Sequence, residues 1–114
     1  MFKSPKTLYT IRITLLPSNI LYKEYQTHRP DFYLLKQQLQ RLNKGKTLKI
    51  QAKISGTIEI LGKEYDIAQK PGDKMIACLL MEASYKAYTS FCRTFENSKL
   101  LDSSPFEMTL EGEL

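Results

Sequence analysis

The sequence predicts an α+β fold: an antiparallel sheet with two helices on one face, in the β-α-β-β-α-β order of a ferredoxin-like sandwich. Three observations carry this expectation. Residues 47–60 alternate apolar and polar in strict period two. Residues 30–43 and 74–96 place apolar side chains at helical spacing. Shorter alternating runs at 7–16, 64–69 and 106–113 complete the strands. A chain of 114 residues with 42% hydrophobic and 25% charged residues is the size of one domain with its own core.

Each element has a local justification. In 7–16, Tyr9, Ile11, Ile13 and Leu15 share one face, and Leu8, Thr10, Arg12 and Thr14 share the other. Pro17, Ser18 and Asn19 end that strand. Residues 20–29 are ambiguous and fit a short helix that Pro30 terminates. In the helix 30–43, Pro30 suits the first turn, Asp31 suits the positive end of the dipole, and Gly45 supplies a stop. Phe32, Leu35, Leu39 and Leu42 line its apolar side.

The run 47–60 places Leu48, Ile50, Ala52, Ile54, Gly56, Ile58 and Ile60 on one face and polar residues on the other. A two-residue turn at Ser55-Gly56 would set apolar against polar on both faces, so parity rejects a hairpin there. A turn at Gly62-Lys63 pairs Ile60 with Tyr65 and Ile58 with Ile67, all inward, with glycine in the first position of a type II′ turn. One long strand, bulged at Gly56, followed by a short one at 64–69 is therefore expected. Asp73 is the N-cap of the long helix 74–96, on which Glu82 and Lys86 form an i,i+4 pair. Residues 97–105 read as a loop, and Phe106, Met108 and Leu110 face inward on the closing strand. In this topology the last strand lies beside the first, and 47–60 lies at the sheet edge.

Charge is unevenly spread. Residues 1–53 carry eleven Lys/Arg against two acids, net +9, whereas residues 54–114 carry six against ten, net −4. A basic half attracts something acidic, and the asymmetry points to nucleic acid, RNA or DNA, or to an anionic surface. The outer side of the helix 30–43 presents Tyr33, Lys36, Gln37, Gln40, Arg41 and Lys44 with no acid among them. Those residue types supply cations for phosphates, amides for base edges and a ring for stacking. The open sheet face adds Arg12, Lys49 and Lys53, with Lys46 just before the strand. The long helix is apolar around much of its girth. Ile76, Leu79, Leu80, Ala83 and Ala87 form one side, and Met81, Tyr85, Tyr88, Cys92 and Phe95 form a second. A helix on a sheet needs only one apolar side, so the second is expected to meet residues 20–29, the C-terminal loop or a protein partner, with a homodimer the simplest case.

The chemistry of common enzymes is missing from the pattern. The single histidine, His28, reads as a polar loop residue, and no CxxC, HxH, HExxH, GxGxxG or GxxxxGK[ST] occurs. No metal site, cofactor or catalytic residue is expected. Cys78 and Cys92 fall in one helix, roughly 21 Å apart along its axis, too far for a disulfide. Free thiols, no apolar run of membrane-spanning length and no signal-like N-terminus predict a cytoplasmic chain. The functional expectation is a small non-enzymatic module that binds nucleic acid through its basic half. The alternative is a protein–protein adaptor or inhibitor acting through the second side of the long helix.

Overall fold

A computed structural model describes residues 6–44, 48–103 and 107–114. The order is β1 (Lys6–Leu16), β2 (Ile20–Thr27), α1 (Tyr33–Leu42), β3 (Lys49–Ile60), β4 (Lys63–Asp66), α2 (Lys74–Thr94), β5 (Glu96–Ser103) and β6 (Met108–Glu113). The α+β class holds, but the order is β-β-α-β-β-α-β-β rather than that of a ferredoxin-like sandwich. The strands form one antiparallel sheet ordered β2-β1-β3-β6-β5, with β4 also on β3. The long axis of the molecule, 48 Å against 27 and 21 Å, follows from the length of β1 and β3.

β3 is central, not an edge strand. One side pairs with β1 from Leu16↔Lys49 to Lys6↔Glu59. The other side is shared: β6 takes Lys49 to Ile54 and β4 takes Thr57 to Ile60. The last strand therefore lies beside β3 and not beside β1. The parity of β3 is the expected one, with Ile50, Ala52, Ile54, Ile58 and Ile60 buried and every odd position at least partly exposed.

Two strands were not legible. Residues 20–27 form β2 because a bulge breaks their period. Ile13 faces Lys23 and Thr14 faces Leu21, which leaves Tyr22 as the extra residue. Tyr22 and Tyr25 both pack on the core across this parity change, which gives a strand the i,i+3 spacing of a helix. Residues 96–103 form β5, an almost wholly exposed edge strand held by main-chain pairing to β6. An edge strand that buries little needs no apolar alternation, and polar residues with two register irregularities blunt the exposed edge.

Three boundaries also shift. The β3–β4 turn is Leu61-Gly62, both at positive φ, as a type I′ turn requires, and it pairs Ile60 with Lys63 and Ile58 with Tyr65. This register differs by two residues from the expected one, so the same faces point inward. α1 begins at Tyr33, whose N–H donates to Asp31 Oδ1 at 2.9 Å, and Leu42 is exposed rather than part of its buried side. α2 starts as expected, with Asp73 Oδ1 accepting from Ile76 N at 3.0 Å, and ends at Thr94. Phe106, Lys46 and Gly45 lie outside the described residues.

Both helices pack on the inner face of the sheet. Leu80, Ala83, Ala87 and Phe91 of α2 and Leu35 and Leu39 of α1 join the buried strand residues in one core. Phe32 locks α1 to α2, edge-on to Phe91 with ring centroids 5.4 Å apart and to Phe95 at 6.2 Å. Small residues let α2 approach the sheet. Where β6 passes beneath, a Cβ on Gly112 would sit 2.9 Å from the Phe95 Cβ. At Gly56 the crowding is with backbone, since a Cβ there would lie 2.7 Å from the Leu8 carbonyl oxygen. Gly56→Ala must therefore push β1 away from β3 and is expected to cost about 1–3 kcal/mol in urea denaturation. Gly72→Ala, with open space around it, is expected to be close to neutral.

Candidate functional site

A half-open cavity of about 810 Å³ lies between the start of β1, the segment leaving β2 and the middle of α2. Tyr9, Ile58, Ala83 and Leu79 form its inner lining, and Pro30 forms one wall. Lys6, His28, Arg29, Glu82 and Lys86, all exposed, stand at the rim. No two of these segments are near in sequence, and only the β1–β2 hairpin and the packing of α2 on β1 bring them together. Sequence alone marks His28 as a plain loop residue, gives Arg29 and Lys6 no role, and reads Lys86 only as the i,i+4 partner of Glu82. The one local signal is the pair His28-Arg29 ahead of Pro30.

The cavity is held by specific bonds. The Tyr9 hydroxyl donates to the Ala83 carbonyl at 2.7 Å and so ties β1 to α2. Burial, reinforced by the charge of Glu82, pushes the Tyr9 phenol up to about 12, so it remains a neutral donor at physiological pH. His28 Nδ1 lies 2.8 Å from the Thr7 carbonyl oxygen. A carbonyl only accepts, so Nδ1 is the nitrogen that donates. Arg29 is fixed at its backbone by Thr27, whose hydroxyl accepts from Arg29 N at 3.1 Å and donates to Arg29 O at 2.8 Å. Glu82 and Lys86 face each other at 3.9 Å, with both side chains about two-thirds exposed, which makes the pair weak.

The predicted α1 surface is largely where its spacing put it. Tyr33 is 62% exposed, Gln40, Arg41 and Lys44 are exposed, and Gln37 is half-buried. Gln37, Gln40, Arg41 and Lys44 surround a shallow hollow. Lys36 is engaged elsewhere, because its Nζ donates to the Thr94 carbonyl at 3.0 Å, at the C-terminal end of α2. That end carries the negative pole of the helix dipole, and the cation lies where it stabilises it.

The outer sheet face is not the basic patch the residue types promised. Arg12 pairs with Glu24 at 3.8 Å, Lys49 with Glu113 at 3.9 Å and Lys53 with Glu107 at 3.9 Å. Each such pair adds little stability, but together they cancel the field of the basic strand. For the two lysines the cause is the central place of β3, which sets them against Glu113 of β6 and Glu107 just before it; Arg12 meets Glu24 across the β1–β2 pair.

Along the second side of α2, Met81 and Tyr85 are exposed at 70% and 67%, while Tyr88 and Cys92 are half-buried. Phe95 is not available to a partner, because it is 2% exposed within the aromatic cluster beneath α1. Met81 and Tyr85 stand exposed on this side, and the Phe32 end of α1 covers its C-terminal part. A hydrogen bond from the Tyr88 hydroxyl to the Cys92 sulfur raises the pKa of the phenol. Both cysteines are free thiols. Among the described residues no group of His, Cys, Asp and Glu is arranged to hold a metal ion, and no helix is long and apolar enough to cross a membrane. The chain matches no protein-family model, and comparison with characterised proteins and with solved structures finds no match.

The buried tyrosines make stability fall in alkali. In the folded chain Tyr9 and Tyr25 keep their protons to about 12, against about 10 in the unfolded chain. The raised folded value means the stabilisation is complete below the unfolded pKa and is lost as pH rises through the folded one. Urea midpoints are expected to hold up to about pH 10 and decline toward about pH 12. Tyr9→Phe should lower stability by about 1 kcal/mol at neutral pH, through loss of the Ala83 bond, and should show a shallower alkaline decline.

Proposed function

We propose that this chain is a non-enzymatic module that binds nucleic acid on the outer side of α1. The observation that carries this reading is the separation of paired from unpaired cations. The sheet cations Arg12, Lys49 and Lys53 each face a carboxylate. Arg29, Arg41 and Lys44 form no ion pair among the described residues; Arg41 stands with Gln40 on α1, Lys44 two residues past its end, and the same helix presents the exposed ring of Tyr33. A polyanion gains most from cations that are not already neutralised, since each phosphate contact releases condensed counterions. An exposed tyrosine on the same helix supplies a stacking surface for an unpaired base. Cations, amides and a ring are groups of recognition rather than of bond-making chemistry.

The test is fluorescence anisotropy with labelled single-stranded and duplex oligonucleotides at about 50 and 200 mM salt. Binding is expected to weaken steeply with salt. Arg41→Ala/Lys44→Ala should bind more weakly and reduce the slope of log K against log salt by about 2. An unchanged slope in a double variant of wild-type melting temperature removes this surface from consideration.

A second reading is favoured by a different observation. Met75, Met81 and Tyr85 are exposed at 59%, 70% and 67% along α2, a concentration of apolar side chains of the kind found at protein interfaces. Here α2 contacts a protein, most simply another copy of this chain. Sedimentation equilibrium is then expected to show concentration-dependent association that Tyr85→Glu abolishes, and a monomer at all concentrations would dismiss the reading.

A further inference from the structure

We infer that the cavity between β1, the end of β2 and α2 binds an organic phosphate monoester, its phosphate at the cationic rim and its apolar body against the inner lining. The inference stands apart from strand binding on α1, because it uses different residues.

Charge gives the ligand its class. The rim holds Lys6, Arg29 and Lys86 against the single carboxylate of Glu82, a surplus of two positive charges. A phosphate monoester carries about −1.5 to −2 near neutral pH, which matches that surplus, whereas a single carboxylate leaves it half unmet. The Glu82–Lys86 pair is no obstacle, because an exposed pair at 3.9 Å is weak enough for Lys86 to turn to a stronger anion. Arg29 provides a planar fork suited to two phosphate oxygens.

Size and lining give the ligand its body. A cavity of about 810 Å³ falls within the roughly 300–1,000 Å³ of small-molecule sites and far exceeds an inorganic phosphate. Its lining is part polar and part apolar, and Ile58, Leu79, Ala83 and Pro30 supply the apolar surface on which a flat ring would rest. The site is also built in advance. Thr27 fixes the backbone of Arg29, the Thr7 carbonyl fixes the His28 ring, and the Tyr9–Ala83 bond holds the two walls together. Groups already held in place lose little freedom on binding.

The test is isothermal titration of the whole chain with adenosine monophosphate and phenyl phosphate, against adenosine, phenol and inorganic phosphate. The monoesters are expected to bind at least about tenfold tighter than the neutral bodies or the bare ion, since each lacks one half of the recognition. Arg29→Gln should weaken the monoesters by about tenfold or more while keeping the wild-type melting temperature, and Lys86→Gln should act in the same direction. Arg41→Ala/Lys44→Ala should leave monoester affinity unchanged, which separates this site from the α1 surface. Oligonucleotides with and without a terminal phosphate then identify the source. Stronger competition by the phosphorylated strand names a strand end, and equal competition names a free small molecule; either result supports the site. The inference is overturned if neither monoester binds, or if both bind no tighter than inorganic phosphate, or if binding is indifferent to Arg29→Gln.

Discussion

Strand β3 is hydrogen-bonded along both edges, and this double pairing is the constraint from which the rest of the molecule follows. A strand with one free edge can adjust its register; one gripped by β1 on one side and by β6 and β4 on the other cannot. A slip of one residue would carry five buried isoleucine and alanine side chains to the outer face, each at about 1–3 kcal/mol. The same register sets Ile54 beside Ile11 and Met108, and Ala52 beside Ile13 and Leu110, so three strands present one continuous apolar surface. α2 lies close on that surface because Gly112, Ala83 and Ala87 leave room for it.

What the sheet does with charge follows from the same pairing. The basic residues of the N-terminal half and the acidic residues of the C-terminal half are far apart in sequence, yet Lys49 and Lys53 of β3 lie against Glu113 and Glu107. A net charge of +5 remains, and the geometry decides where its unpaired part stands. Among the cations with no ion pair in the described residues, Arg41 and Lys44 stand at and just past the end of α1, and Lys6 and Arg29 stand at the mouth of the cavity. The α1 cations and the cavity-rim cations form two separate groups, since Arg29 precedes the turn into α1 and Arg41 lies in the last turn of that helix.

Much of the architecture was legible because its cause is local. The alternation of 47–60, the capping of α2 by Asp73 and the buried side of α1 at Phe32, Leu35 and Leu39 depend on neighbours a few residues away. β2 and β5 were not legible for opposite reasons. In β2 a bulge at Tyr22 breaks the period that would have marked a strand, and in β5 so little is buried that no period was needed. Missing both strands changes the topology, since the remaining β-α-β-β-α-β order points to a ferredoxin-like sheet, in which the last strand pairs with the first and β3 lies at the edge. The α1 surface was legible from helical spacing, except for Lys36, whose bond to Thr94 joins residues 58 positions apart. The cavity was not legible at all.

The sequence by itself determined which faces of its regular elements are apolar, because period and capping are properties of a few consecutive residues. It also determined the chemical supply: many cations, one histidine, exposed rings and no metal-ligand or phosphate-loop motif. The tertiary structure alone decided which of those cations are neutralised and which stand free, because that depends on strand order and register, which bring residues from opposite ends of the chain together. It alone built the cavity, because Lys6, Arg29 and Lys86 become neighbours only when the β1–β2 hairpin closes and Tyr9 meets Ala83.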